Sequence, residues 1–374
     1  MGPLHGIRFI EIAGIGPTQF CGMLLADMGA QVLRLRRPAA ADPGVDVPDR
    51  VNLMNRGRPT IDVDLKSDEG RELVLRLCEN ADALFEGFRP GAMERLGLGP
   101  DACMSRNRRL VYGRMTGWGQ DGPMAQRAGP DTNYIALAGA LHGIGEAGRP
   151  PPLPLNLIGD FGGGAMYLVT GLLAALLEAG RSGEGQVVDA AMVDGTASML
   201  TLFYGLVAGG MWTERRQNNV LDGGAPFARC YETRDNRFIA VCALETEFFA
   251  RLLEALSIGE INPVDQYDTA QWAQHHEIFA TAFRSKTRDE WSALLSGIDA
   301  CATPVLTLGE AAEHEHARAR GTYVEIDGIR QPGPAPRFSR TASEARGAPP
   351  ANSAAARDIL AEWGLGKDEI RQLL

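Results

Sequence analysis

Residues 7–37 have the sequence IRFIEIAGIGPTQFCGMLLADMGAQVLRLRR. An apolar run over 7–13 predicts a strand, the Gly and Pro residues at 14–17 predict a turn, and the period of residues 18–28 predicts a helix. A second strand is expected over 31–35. The stretch therefore predicts a β-α-β unit, although Gln19 stands where a dinucleotide fingerprint needs its third glycine.

Further strands and helices alternate along the next eighty residues. Ser67 is expected to cap a helix that runs to about Glu79, and apolar runs predict strands over 81–85 and 110–115. Alternation of this kind predicts a doubly wound, Rossmann-like parallel sheet that binds ligands at the carboxyl ends of its strands.

Basic residues gather at these predicted strand ends in a protein whose formal net charge is -10. Guanidinium groups there favour a phosphorylated ligand, although a solvated basic edge is an equally good interpretation. The residues concerned are Arg34, Arg36, Arg37, Lys66, Arg89, Arg95 and Arg114.

The pattern changes near residue 221, where a β-hairpin and then helices predict a smaller α+β domain. The uncharged stretch 195–213 is interpreted as a buried or subunit-interface helix rather than a membrane span. The predicted division is a large α/β domain at 1–194, a linker helix at 195–221, a small domain at 222–310, and a return segment at 311–374 that completes the large domain.

Composition narrows the classes of partner. The acidic balance argues against nucleic-acid binding, which needs a basic face. Six cysteines without C-x-x-C spacing indicate neither a zinc site nor a disulfide framework. No targeting segment is recognised, so we expect a cytoplasmic protein with no membrane partner.

Residues 159–164 have the sequence GDFGGG and lead into an apolar helical segment. Asp160 is expected at the start of that helix, where aspartate is a favoured N-cap. Each glycine costs about 1 kcal/mol of helix stability relative to alanine, so a ligand or another helix is expected at close range. An Asp160 that faces a ligand and an Asp160 that only caps the helix both remain open.

A family resemblance extends over nearly the whole chain. The sequence resembles the family III CoA-transferases and, within them, the α-methylacyl-CoA racemases. The stretches that carry it are AGIGP (13–17), DLKSD (64–68), EGFRPG (86–91), RLGLGP (95–100), RMTGWGQDGP (114–123), DTNYIALAGAL (131–141), PLNLIGDFGGG (154–164), GQVVDAAMVDG (185–195), LDGGAPF (221–227), DACATPVL (299–306) and PAPRFSRT (334–341).

The resemblance implies an interlocked homodimer that acts on an acyl-CoA thioester, with the active site between the large domain of one subunit and the small domain of its partner. It implies no metal or redox cofactor, because coenzyme A is part of the substrate. Under this resemblance the groups that bind coenzyme A are Arg37, Lys66, Arg89 and Arg95.

Racemisation beside a thioester carbonyl needs a base on one face of the α-carbon, an acid on the other, and donors for the enolate oxygen. In the racemases a histidine supported by a glutamate opposes the aspartate of the GDFGGG motif. The resemblance places these two acids at Asp160 and Glu245. The histidine is absent, because Pro130 occupies its position, and Asp131 or Glu245 would have to replace it.

Three functions are therefore compatible with the sequence. The first is 1,1-proton transfer at the α-carbon of a 2-methylacyl-CoA, through an enolate. The second is CoA transfer with Asp160 as the nucleophile and an aspartyl-CoA intermediate, although residues 242–246 lack the glycine-rich loop of the transferases. The third is binding of acyl-CoA without turnover. Tyr134, Asn156, Asp189 and Asp194 are given no role in any of them.

Overall fold

The computed structural model describes residues 2–38 and 47–373. The chain divides into two compact units. The large unit comprises the described parts of 1–138, 154–200 and 315–374, and the small unit comprises 139–153 and 201–314. The small unit thus takes in 139–153, which was predicted within the large domain.

The large unit is built on a six-stranded parallel sheet with the strand order β3-β2-β1-β4-β5-β6. This is the order of a doubly wound dinucleotide-binding sheet, so the predicted fold class is confirmed. The strands are β1 (Arg8–Ile12), β2 (Gln31–Arg36), β3 (Thr60–Asp62), β4 (Ala83–Glu86), β5 (Val111–Thr116) and β6 (Val187–Ala191).

Outside this sheet lie an antiparallel three-stranded sheet in the small unit and a hairpin in the return segment. These strands are β7 (Ala228–Glu232), β8 (Phe238–Cys242), β9 (Ala302–Pro304), β10 (Tyr323–Ile326) and β11 (Ile329–Pro332). The helices are α1 (Pro17–Asp27), α2 (Asp68–Asn80), α3 (Ala92–Arg95), α4 (Pro100–Arg106), α5 (Asp131–Leu137), α6 (Met166–Ser182), α7 (Met192–Met199), α8 (Thr201–Ala208), α9 (Thr246–Ala255), α10 (Trp272–Phe283), α11 (Arg288–Leu295), α12 (Leu308–Glu313), α13 (Glu315–Arg320), α14 (Ala354–Glu362) and α15 (Lys367–Leu373).

Local signals explain several of these boundaries. The Ser67 hydroxyl accepts the Gly70 N–H at 2.9 Å, so the predicted cap of α2 is confirmed. Thr287 and Glu290 form a capping box at the start of α11. The predicted linker helix at 195–221 is wrong, because this stretch contains the end of α7, all of α8 and then turns.

Residues 157–182 form one continuous helical stretch in two parts. Leu157–Ala165 is π-helical, and α6 continues from it without a break. α6 packs on β5 where Gly113 leaves room, since a Cβ there would lie 2.9 Å from Leu172 Cδ2. Among the described residues this is the one helix long and apolar enough to cross a membrane, a test that core helices of soluble proteins also pass.

A buried ionic cluster lies between the sheet and α1. Glu11 on β1 is paired with Arg34 on β2 at 3.5 Å and with Arg58, and all three side chains are buried. Gly22 on α1 makes room for it, because a Cβ there would lie 2.2 Å from Arg58 Nη1 and 2.5 Å from Glu11 Oε2. Breaking a buried ion pair leaves a charge uncompensated, which costs about 3–5 kcal/mol.

We therefore expect Gly22→Ala to lower the free energy of unfolding by about 2–4 kcal/mol, because the new methyl group displaces the Glu11–Arg58 pair. Gly180→Ala on α6 is the matched control, since its Cβ would meet nothing within 4 Å. The control is expected to be neutral or to gain up to about 1 kcal/mol from helix propensity. Urea unfolding of both variants measures the difference, and equal stabilities would contradict the prediction.

Candidate active site

The π-helical turn Leu157–Ala165 places Asp160 inside a helix rather than at its first residue, so the predicted helix start at Asp160 is wrong. The glycines of this turn allow α7 to approach backbone to backbone. A Cβ at Gly163 would lie 2.7 Å from the Thr196 nitrogen, and one at Gly195 would lie 1.9 Å from the Gly163 oxygen. The expected close neighbour of the glycine run is therefore another helix.

Asp131 and Asp160 are brought together directly. The Asp160 N–H donates to Asp131 Oδ2 at 2.7 Å, and the other oxygen of Asp131 is buried with no hydrogen-bond partner among the described residues. Asp131 is only 5% exposed. Its carboxylate thus fixes the turn that carries Asp160, and it also occupies the Asp160 N–H, which is therefore not available to an enolate oxygen.

The Asp160 carboxylate is half-buried and accepts one side-chain hydrogen bond, from Asn156 Nδ2 at 3.0 Å. Burial raises the pKa of Asp160, the Asn156 hydrogen bond lowers it, and the negative charge of Asp131 raises it again. A carboxylate in this environment holds a proton at higher pH than a solvated aspartate does, which is the property needed of an acid or base near neutral pH.

The loop between β1 and α1 faces Asp160 from the other side. Gly16 has a φ of 60°, and a Cβ there would lie 2.9 Å from Asp160 Oδ2. The carboxylate therefore lies against Gly16, the residue that immediately precedes α1. Glycine is required at position 16 both for the positive φ and for the space.

Arg89 and the Asp160 carboxylate both act electrostatically on the same tyrosine, Tyr134. Burial raises the pKa of Tyr134 on α5, the charge of Asp160 raises it further, and the charge of Arg89 lowers it. Arg89 and Asp160 are therefore both within electrostatic reach of one tyrosine, whose hydroxyl donates to the Gly129 carbonyl.

The other predicted phosphate ligands are exposed cations beyond strand ends. Arg37 follows β2, Lys66 follows β3 and Arg95 ends α3. Because β3, β2, β1 and β4 are neighbours, these residues and Arg89 follow the carboxyl edge of one half of the sheet.

Three other arginines of the predicted basic cluster have structural partners instead. Arg34 is buried against Glu11, Arg36 pairs with Asp62 at 2.7 Å, and Arg114 is buried against carboxylates of β4 and α3. The assignment of these three to a phosphate site is therefore not supported, since each guanidinium neutralises a neighbouring acid.

Glu245 belongs to the small unit, where it precedes α9 and is exposed. Its carbonyl oxygen accepts the Phe249 N–H at 3.0 Å, which begins the helix. Burial raises the pKa of Cys301, and the negative charge of Glu245 is the next cause of that shift. The carboxylate is thus within electrostatic reach of Cys301, the residue before β9, and Glu245 is open to solvent.

Pro130 stands in extended conformation immediately before α5, and its carbonyl oxygen accepts the Asn133 N–H at 2.9 Å. A proline side chain offers no group that can carry a proton. His142, the histidine nearest in sequence, belongs to the small unit, and its Nε2 lies 2.9 Å from the Glu214 carbonyl oxygen.

Asn156 was given no role from the sequence, because an asparagine before an apolar run has many interpretations. Its position four residues before Asp160, one helical turn away, is the signal that could have found it. Within residues 2–38 and 47–373, no group of three or more His, Cys, Asp or Glu side chains could hold a metal ion.

Comparison with known proteins identifies the family. The model for CoA-transferase family III matches residues 4–354, so the chain belongs to that family. The chain is 41% identical to the alpha-methylacyl-CoA racemase of Mus musculus and 39% identical to that of Homo sapiens, in each case over 99% of this chain and 96% of the relative. Its structure resembles that of a CAIB/BAIF family protein from Brucella suis with a TM-score of 0.81 and 27% identity, covering 97% of this chain and 99% of that one.

The environment of Asp160 predicts shifts of opposite sign in two variants. Asp131→Asn is expected to lower the pKa of Asp160, because it removes a negative charge and keeps an acceptor for the Asp160 N–H. Asn156→Ala is expected to raise it, because the carboxylate loses its donor. Carboxyl ¹³C NMR, with Asp160→Asn to assign the resonance, measures both shifts, and a shift of the same sign in both variants would contradict the prediction.

Proposed function

We propose that this protein is an acyl-CoA enzyme that transfers a proton at the α-carbon of a 2-methylacyl-CoA thioester through an enolate. The observation that carries the proposal is the Asp160 carboxylate, held on a rigid π-helical turn with a raised pKa. The relatives named alpha-methylacyl-CoA racemase, similar over nearly the whole chain, support the same reaction.

Asp160 is the proposed acid or base on one face of the α-carbon. Asp131 is a positioning residue in this scheme, because its carboxylate is buried and already holds the Asp160 N–H. The proposed group on the opposite face is Glu245, an exposed carboxylate of the small unit. The proton-transfer pair is then two carboxylates, in place of the carboxylate and imidazole of the racemase branch.

The proposal includes an interlocked homodimer in which the small domain of one subunit completes the site of its partner. Exposed apolar side chains on α7 and α8 support a subunit contact there, with Leu202 58% and Tyr204 67% exposed. The substrate would be held by Arg37, Lys66, Arg89 and Arg95 through the phosphates of coenzyme A. No resident cofactor is needed, and a cytoplasmic location is proposed with it.

The test is incubation with one enantiomer of a 2-methylacyl-CoA in deuterium oxide, with mass spectrometry for α-deuteration and chiral analysis for inversion. We expect deuteration with inversion, and a loss of at least about 100-fold in Asp160→Asn and in Glu245→Gln, the contribution typical of a general acid or base. Asp101→Asn, an exposed aspartate on α4, is the control that should keep the wild-type rate.

Deuteration with retention would contradict the two-carboxylate scheme, because it requires a working group on one face only. No deuteration by a protein that still binds coenzyme A would contradict proton transfer on that substrate.

CoA transfer is the second candidate, favoured by the absence of a proton-carrying group at Pro130. In that reaction the Asp160 carboxylate attacks the thioester carbonyl, and coenzyme A leaves as a thiolate, which gives a mixed anhydride. The thiolate then attacks the Asp160 carbonyl, which forms an aspartyl-CoA thioester and releases the donor acid as a carboxylate. The acceptor carboxylate attacks this thioester in the same way, takes up coenzyme A through a second anhydride and frees the Asp160 carboxylate. Transfer of coenzyme A to an isotopically labelled free acid, with a covalent adduct on the peptide that contains Asp160, would establish it.

A further inference from the structure

Glu86, the last residue of β4, is a buried acid with two different partners. Its side chain is 1% exposed, its Oε2 accepts the Phe88 N–H at 2.6 Å, and its Oε1 lies 3.5 Å from Arg114 Nε. The hydrogen bond folds the chain back over the end of the strand. A buried carboxylate is costly unless it is paired in this way, so the position indicates a role beyond packing.

The bond from Phe88 fixes the start of the 86–91 loop, which carries Arg89. Two further contacts fix the rest of this loop. Gln126 donates to the Pro90 carbonyl at 3.1 Å, and Gly87 approaches Thr18 so closely that a Cβ would lie 2.8 Å from its methyl group. The loop also abuts Arg95, because a Cβ at Gly91 would lie 3.2 Å from Arg95 Nη1. One of the four proposed coenzyme A ligands, Arg89, thus lies on this loop, and a second, Arg95, lies next to it.

Charged and titratable groups face Glu86 from the neighbouring elements. β5 contributes Arg114, its register partner, and Tyr112, while α3 contributes Glu94, which pairs with Arg114 at 2.9 Å. Burial raises the pKa of Glu86 to about 7, the Phe88 N–H and Arg114 lower it, and Glu94 raises it. The carboxyl group therefore exchanges its proton close to neutral pH.

We propose that Glu86 is a positioning residue for coenzyme A, whose ionised carboxylate holds the 86–91 loop so that Arg89 meets a phosphate of the ligand. This inference rests on the proposed function. A hydrogen bond to an ionised acceptor is about twice as strong as one to a neutral group. Protonation of Glu86 therefore weakens the hold on Phe88 and removes its attraction for Arg114.

The sign of the pH dependence follows from this. Above about pH 7 the carboxylate is ionised and the loop is held, so the affinity for coenzyme A is at its maximum. As the pH falls through that value the carboxylate takes up a proton and the affinity falls. Between pH 8 and pH 6 the ionised fraction drops about tenfold, which is the largest loss that one such group can cause.

Isothermal titration calorimetry with 3′-dephospho-CoA between pH 6 and pH 8 tests the proposal. This probe lacks the phosphate monoester, whose own pKa of about 6 would otherwise add a pH dependence. We expect the wild type to bind about three- to tenfold more weakly at pH 6 than at pH 8. Glu86→Gln, which keeps an acceptor oxygen but no charge, should bind weakly and with little change over the range.

Glu94→Gln is the matched control, because Glu94 shares Arg114 with Glu86 but makes no hydrogen bond to the 86–91 loop. This variant should keep the pH dependence of binding. The pH at the midpoint of that dependence should not rise, because the charge of Glu94 raises the pKa of Glu86. A Glu86→Gln protein that retains the wild-type pH dependence would overturn the proposal. So would tighter binding by Glu86→Gln at pH 8, because the charge of Glu86 would then only repel the phosphates.

Hydrogen exchange of the Phe88 amide, without ligand and corrected for intrinsic rates, provides a second readout. Its protection should fall between pH 8 and pH 6 in the wild type and stay constant in Glu86→Gln. If neither the wild type nor any variant binds 3′-dephospho-CoA at any pH, the proposed function fails. Hydrogen exchange of the Phe88 amide still tests the role of Glu86 in that case. Constant protection of the wild-type amide would overturn the role given to Glu86.

Discussion

The contact between the backbones of Gly163 and Gly195 is the constraint on which the site depends. Because neither residue has a side chain, α7 lies directly against the π-helical turn. The turn continues into α6, which packs on β5, so the position of Asp160 is tied to the central sheet. A π-helical turn has unusual geometry and is often found at functional sites. Here it places an aspartate next to the loop after β1, while one face of the flanking helix α6 packs against the sheet.

Two acids at this turn have different environments. The buried Asp131 carboxylate accepts a backbone N–H, whereas the partly exposed Asp160 carboxylate accepts one side-chain hydrogen bond, from Asn156. Burial, with a further contribution from the negative charge of Asp131, keeps the pKa of Asp160 above that of a solvated aspartate. Different environments for two neighbouring carboxyl groups are a common means of giving them different roles.

The large sheet and its caps were predictable because periodicity, Ser67 and the glycine turns are local signals. The site was predictable only in part. Motifs led to the prediction of Asp160 and Arg89 as site residues. The register that pairs Arg34 with Glu11, and Arg114 with Glu86, is a long-range property of the sheet that no motif shows. The sequence shows six arginines at or beyond predicted strand ends and does not show which of them are neutralised by a neighbouring acid. The π-helical turn was missed because its residues satisfy the signals for an ordinary helix start.

The glycines of the GDFGGG stretch have a consequence for how related chains are compared. Gly163 and Gly164 are excluded from substitution by the atoms of α7, whatever reaction the protein performs. A descendant that had lost its chemistry would still need them to fold. The glycine run is therefore a marker of architecture, and its presence says nothing about turnover. The positions that bear on activity are those that folding alone does not constrain, namely Asp160 and Asn156, which donates a hydrogen bond to it.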